Sequence, residues 1–408
     1  MSSITPACGR AVDAGASLDR LPQQEQPNPT CTILLQPIEV LLLVADHLPP
    51  ASRVLLSQTC RSIRAALGNP SSKSLSRRDF VDYLSGLARS LLSRWVCDVC
   101  HALHPVLEAD TPRNARQWVP WLRHTSCPLG SDAWEFHCYG RESRNLDRRP
   151  VPYDHRHIQL ALKYTRTNDR QYQSYLYNLL MPLHANAESY GQYWSGQGYH
   201  EPNAIQYSTY PKIVAVPRGL ANASGELRFL LNSVWHYRQY YRPVSIDSMS
   251  SLRICPHLDF RIRYLRDSGD LLQVLISALT SAFEAAGEAV ISEACPRCPT
   301  DFSVKASAEY ACVRVWQDLG SETSPLDVAW RIHVWDTRDV PLYGGINAGS
   351  VGPTICHEPG SIQKLYGTLK LTAGGRTSWI KVFELALPDP EGMLVMRPLR
   401  LPLSPRAA

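Results

Sequence analysis

The chain has 408 residues, roughly two or three domains' worth of material, with 44% apolar and 19% charged residues, which excludes a stapled mini-scaffold, wholesale disorder and fibrous repeats. Forty-two Lys and Arg against 37 Asp and Glu leave a net charge of +5, far from the dense basic footprint that nucleic acid demands. Twelve cysteines, four of them in CxxC pairs near histidines, read on a chain this long as metal binding in a reducing compartment rather than as a disulfide framework.

Residues 1–33 are rich in Ala, Gly, Pro and Gln without any period and are expected to form a disordered lead-in. The first twenty residues lack a basic start followed by an apolar core, and the longest apolar run, Val40–Ala45, is six residues long. The expectation is therefore a soluble protein of the cytoplasm or nucleus, with no signal peptide and no membrane contact.

Pro37 followed by Glu39 is the proline-first, acid-in-first-turn opening of a helix, which runs to His47 before Pro49 and Pro50 stop it. Short helices over Ser52–Ser57 and Thr59–Leu67 follow, the last ended by Gly68-Asn69-Pro70. In the first helix Ile38, Leu41, Leu42, Ala45 and Leu48 form the expected inward stripe, while Val40, Leu43 and Val44 place large apolar groups on the opposite side. Three short helices cannot bury both faces, so the second face is expected to meet another surface, either this chain's own C-terminal region or a partner.

The segment Gln36-Pro37-Ile38-Glu39-Val40-Leu41-Leu42-Leu43-Val44-Ala45-Asp46-His47-Leu48-Pro49-Pro50, with Leu55-Leu56-Ser57-Gln58-Thr59-Cys60-Arg61 after it, resembles an F-box. The family's Leu-Pro-x-Glu opening, aliphatic helix, proline loop and Cys-Arg close are matched almost in order, with Gln36 in place of the usual Leu. The resemblance implies a three-helix module, residues 34–70, that docks on the Skp-type adaptor of a cullin-based ubiquitin ligase. It would do so through Pro37, Ile38, Val40, Leu43, Val44, Leu48 and Pro49.

Beyond it, Phe80, Tyr83, Leu84, Leu87 and Leu91 predict a helix. Alternation at Ile158, Leu160, Leu162 and Tyr164 predicts a strand, and Tyr172–Leu180 a helix. Further strands are expected over Lys212–Val216, Leu227–Tyr237, Val313–Trp316, Trp330–Trp335 and Trp379–Leu385. Apolar residues from Leu272 to Val290 recur at helical spacing behind Asp270, a plausible cap, giving a helix over 270–291. No repeat of fixed period is present, which disfavours a solenoid or propeller. The predicted fold class is α+β: a three-helix module, then a mixed region over 78–390 stabilised by zinc knuckles, then a tail over 391–408.

Cys97-Asp98-Val99-Cys100 and Cys295-Pro296-Arg297-Cys298 are CxxC knuckles, whose two-residue spacing lets both thiolates converge on one ion. Cys255 and His257, on a turn stiffened by Pro256, are the expected second half for Cys295 and Cys298. Cys97 and Cys100 have Cys127, Cys138, His101, His104, His155 and His157 as candidate partners, Cys127 in particular; alternatively the two knuckles close on each other. Cys60, Cys312 and Cys356 read as small core residues. The expected cofactor is structural zinc. HExxH, the deaminase HxE motif, a P-loop, a dinucleotide fingerprint and GxSxG are all absent from the sequence, so no catalytic residue is assigned.

The blocks Trp95–Cys100, Leu103-His104-Pro105, His155–Tyr164, Cys255–Leu258 and Cys295–Phe302 also resemble, in this order, a group of fungal F-box proteins, although that likeness supplies no biochemical activity. The reading is an F-box substrate receptor presenting its C-terminal region to an unknown target protein, with Tyr190–Tyr199 and Trp235–Tyr241 as candidate contact surfaces. A zinc-dependent enzyme or a nucleic-acid module with a coincidental helix trio is the alternative.

Overall fold

A computed structural model describes residues 36–68, 70–97, 100–107, 153–186, 203–216, 225–239, 243–249, 252–259, 269–333 and 354–367. Cys127, Cys138, Tyr190–Tyr199 and the strand expected over Trp379–Leu385 lie outside them. Among the described residues no helix is long and apolar enough to cross a membrane.

The chain opens with helices α1 (Ile38–Asp46), α2 (Pro50–Thr59) and α3 (Arg61–Ala66), followed by α4 (Arg77–Ala88). Pro50 sits at the start of α2, where its missing N–H costs nothing. Cys60 Sγ accepts the Ile63 N–H at 3.4 Å and caps α3, so this half-buried cysteine is a cap and not the core residue expected. Helices α2 and α4 share a core of Ala51, Val54, Val81, Leu84 and Ala88. Gly86 allows their close approach, since a Cβ there would meet the Leu55 side chain.

Strands β1 (Arg94–Cys97) and β2 (Ala102–Pro105) form an antiparallel hairpin. Helices α5 (His155–Thr167) and α6 (Gln173–Leu180) come next, then β3 (Leu183–Asn186), β4 (Asn203–Val216) and β5 (Glu226–Gln239). A small hairpin, β6 (Arg253–Cys255) and β7 (Leu258–Asp259), leads to α7 (Gly269–Glu284). Strands β8 (Ile291–Ala294), β9 (Thr300–Ala306) and β10 (Tyr310–Ser321) precede the short helices α8 (Val328–Arg331) and α9 (Ser361–Gly367).

Strands β3, β4, β5, β10, β9 and β8, in that order, make one antiparallel six-stranded sheet. Residues directly opposite each other share a face. The pairs Ile213 with Phe229, and Val313 with Val304, therefore place α5 and α7 side by side on one face. There α5 covers the β4–β5 end and α7 the β8–β9 end. Helix α9 lies against the other face.

Three expectations fail for definable reasons. His155–Thr167 is a helix, not a strand, because residues 155–164 are buried all round and polar ones on the β1 side, Gln159 and Lys163, bond backbone groups there. Gln159 Oε1 accepts the Val96 N–H at 3.0 Å, while Lys163 Nζ donates to the carbonyls of Leu91 (3.1 Å) and Arg94 (2.7 Å). These partners on the β1 side put polar residues where a helix buried on all faces would otherwise be apolar, and the remainder mimics a period of two. Trp330 and Arg331 lie in α8, started by the Asp327 carboxylate accepting the Ala329 N–H at 2.8 Å. Helix α7 stops at Glu284 rather than 291, because Ala286 and Gly287 take positive φ values of 47° and 86°; Asp270 lies inside the helix rather than capping it.

Candidate functional site

Two clusters of metal-ligating side chains stand out. In the first, β6 ends on Cys255 and its turn carries His257, while the β8–β9 turn carries Cys295 and Cys298. The Cys295 N–H donates to the Thr300 carbonyl at 2.8 Å and the Thr300 N–H to the Cys298 carbonyl at 2.6 Å, folding that turn into a tight knuckle. All four side chains are buried, and their donor atoms lie within 4.8 Å of one another. His257 Nδ1 stands 3.7 Å from Cys295 Sγ and 3.9 Å from Cys255 Sγ. The imidazole thus turns its Nδ1 toward the sulfurs, and its buried Nε2 has no partner among the described residues.

Three sulfurs and one nitrogen in a sealed pocket can hold a metal ion, and with four protein donors the shell would be closed. Electrostatics favours a cation there. Hydrogen bonds from Cys255 and then Cys298 hold the Cys295 thiol far below its usual range. Burial, and then the Cys295 sulfur, push Cys255 up, while burial followed by both neighbouring sulfurs raises Cys298. A bound cation would take the place of the protons that these crowded sulfurs otherwise keep.

The second cluster is Cys97, Cys100 and His104. Register pairs Cys97 with Ala102 and Trp95 with His104, so His104 is the diagonal neighbour of Cys97 on one face of the hairpin. Cys100 Sγ lies 2.8 Å from His104 Nε2. The Cys100 hydrogen bond and then burial push the Cys97 thiol up, against an opposing pull from His104. Of the candidate partners among the described residues, His104 is the one brought to this pair. His101 bonds Arg77 at 2.8 Å, His155 packs on Trp330, and His157 Nδ1 accepts the Asp154 N–H at 3.1 Å as part of a capping box. The two knuckles do not merge into one site.

The other feature is the outer surface of α1. Ile38, Val40, Leu42, Leu43 and Val44 are between 40% and 59% exposed, Ala45 is buried, and Leu41 and Leu48 are half-buried. Ile38 and Leu42, expected on the inward stripe, therefore join the outward face. Pro37 and Pro49 are exposed at the two ends of the helix. Five large aliphatic side chains left exposed on one nine-residue helix are apolar surface of the kind that marks an interaction site.

Residues 37–75 match the family model of the F-box domain. The chain carries an F-box domain. No curated protein and no solved structure matches the chain. The F-box domain gives the protein a role in binding the adaptor of a ubiquitin ligase, and the whole is a mixed α+β chain in which a helical F-box precedes a sheet-containing region with two metal-compatible Cys/His clusters. The matched stretch reaches Leu75, which packs with α4 against α2, so the F-box shares one continuous core with α4.

Proposed function

We propose that this protein is a substrate-receptor subunit of an SCF-type cullin-RING ubiquitin ligase. The F-box docks on the Skp-type adaptor through Pro37, Ile38, Val40, Leu43, Val44, Leu48 and Pro49, and the sheet-containing region presents a surface to a target protein. Catalysis belongs to the other subunits. The observation that carries this reading is the exposed aliphatic face of α1 inside the matched F-box.

Zinc is the ion proposed for both clusters, as a structural element in a reducing compartment. Zn–S bonds of about 2.3 Å and Zn–N bonds of about 2.0 Å imply tetrahedral edges of about 3.5–3.8 Å, which the sulfur-to-nitrogen distances of 3.7 and 3.9 Å around His257 approach. Cys97, Cys100 and His104 supply three donors of the second site, and Cys127 is retained as the proposed fourth.

Leu43→Asp tests the docking face. Leu43 is 59% exposed, so the substitution should leave the melting temperature unchanged to within about 0.5 kcal/mol of stability. At the interface it removes about 1–2 kcal/mol of apolar burial and leaves a carboxylate to be desolvated, which together weaken adaptor binding at least a hundredfold. Full adaptor capture by Leu43→Asp in a pull-down with purified components would sink the docking claim.

A further inference from the structure

Among the described residues, the sheet face opposite α5 and α7 is covered at one end by α9 and bears no helix at the other, open end. At the covered end the Asp301 carboxylate gathers the start of α9: it accepts the N–H groups of Gly360 (3.0 Å), Ile362 (2.8 Å) and Gln363 (2.9 Å). Arg228, on the same face at that end, pairs with Asp318 at 2.8 Å. Charge there is matched.

At the open end it is not. Lys305 on β9 and His236 on β5 lie directly opposite Cys312 on the intervening β10. Arg314 follows two residues along β10 from Cys312, and Arg238 two along β5 from His236, so all four share this face. Lys305, His236, Cys312 and Arg314 are half-buried and Arg238 is exposed. Adjacent strands lie about 4.8 Å apart, so the cluster spans only about 10 Å across three strands. The face positions around it, Gln206, Ser208, Ser303 and Tyr310, carry no carboxylate. Among the described residues neither Lys305, Arg238 nor Arg314 forms an ion pair with an acid, and Glu309 in the adjoining turn forms none either. Burial first, and then the neighbouring Arg314 and Arg238 charges, lower the proton affinity of His236. Clustered like charges weaken a sheet unless something offsets them.

We propose that this open half of the sheet, centred on Cys312 and ringed by Lys305, His236, Arg238 and Arg314, is the docking surface for an acidic segment of the target protein. The proposal rests on the receptor reading above. Charge complementarity selects the occupant: three clustered cations, Lys305, Arg238 and Arg314, suit a short run of Asp or Glu, whereas a nucleic-acid backbone calls for a longer basic track than a chain of net charge +5 supplies.

The test uses the full chain bound to its adaptor and a fluorescein-labelled peptide of alternating Glu and Ser, followed by anisotropy at about 50 mM and about 300 mM salt. Binding at low salt that weakens about tenfold in the double variant Lys305→Glu/Arg314→Glu, and to an intermediate extent in Lys305→Gln/Arg314→Gln, is expected. Thermal melts of both variants separate a lost surface from a lost fold, and the milder glutamine pair carries the test if the charge-reversed pair does not fold. Equal binding by wild type and folded variants, no binding by wild type, or tighter binding of an oligothymidylate of equal charge each overturns the proposal. Adaptor capture measured in parallel keeps the two readings apart. Its loss with peptide binding intact overturns the receptor role, and intact capture without peptide binding overturns the patch.

Discussion

Replacing Cys298 by Ser probes the cluster at the β8–β9 turn most directly. Cys298 is fully buried, and the β6–β7 hairpin that supplies Cys255 and His257 has only the pairs Arg253 with Asp259 and Cys255 with Leu258 to hold it. So short a hairpin is not stable alone. It must be seated by its apolar neighbours Ile254 and Leu258 and by whatever bridges it to the knuckle 38 residues further on. Structural zinc sites contribute about 10–16 kcal/mol of binding energy to folding in small domains. Serine leaves two cysteines and a histidine in a sealed pocket without their fourth donor, a loss on the scale of breaking a buried ion pair, about 3–5 kcal/mol. Against a total stability of about 5–15 kcal/mol this lowers the melting temperature by about 10 °C or more. Elemental analysis should fall from about two zinc equivalents per chain, one for each cluster, to about one. Cys312→Ser is the control, since Cys312 sits half-buried on the sheet outside both clusters. Unchanged zinc content and a melting temperature within about 2 °C of wild type in Cys298→Ser would refute the metal-centre reasoning.

Two further outcomes rest on buried polar groups. Burial pushes His155 down to about 3, so the folded state holds it neutral. Its folded proton affinity lies below the unfolded one; the stability it permits is therefore fully present above about pH 6.5 and is lost as pH falls toward 3. Between pH 6.5 and 4.5 wild type should lose about 2–3 kcal/mol more than His155→Phe, as read by denaturant titration at each pH, and parallel curves would exclude this role. Asp301→Asn removes the charge from a carboxylate that accepts the His357 ring N–H at 3.0 Å as well as three backbone N–H groups. Burial alone would raise this carboxyl, but those donors outweigh it and leave it below its ordinary value. About 2–3 kcal/mol should be lost locally, so limited proteolysis within 354–367 should begin well before global unfolding; an unchanged cleavage pattern would count against it.

What could be read from the residues alone depended on whether the causes were local. Pro37, Glu39 and the proline pair at 49–50 are short-range instructions, and α1 and α2 obey them. The CxxC spacing is likewise local, and joining Cys295 and Cys298 to Cys255 and His257 needed only a chain that returns through a helix, which α7 provides. His104 was legible only as one of six candidates, because the choice among them is made by hairpin register, a pairing between strands. The α5 helix was misread because Gln159 and Lys163 answer backbone groups more than sixty residues away. Periodicity sets Ile38 and Leu42 inward, yet among the described residues α1 meets chiefly α3 and the Arg53 end of α2, too little to bury a full stripe. Cys356, expected in the core, is exposed, since its segment packs on the sheet through Ile355, Asp301 and α9 instead.

The β1–β2 hairpin explains how these parts hold one another in register. Strand alternation sends successive side chains of β1 to opposite faces. Val96 therefore enters the core shared by α2 and α4, while Trp95 and Cys97 enter the core formed by α5, β4 and β5. The opposite strand adds Leu103 to the first core and His104, stacked 4.9 Å from Trp95, to the second side. Arg156 of α5 lies 5.6 Å above the same Trp95 ring, and the Lys163 and Gln159 bonds pin the edge of β1 from below. A cluster able to hold a metal thus sits on an element that feeds both the α2/α4 core and the core beneath the sheet. Under the proposed receptor role, a target must be held at a fixed reach from the adaptor, and rigidity at this junction serves that need better than a flexible linker would. Loosening Cys97 or Cys100 should accordingly leave each core formed while uncoupling them, a change visible as a second thermal transition rather than as lost adaptor binding.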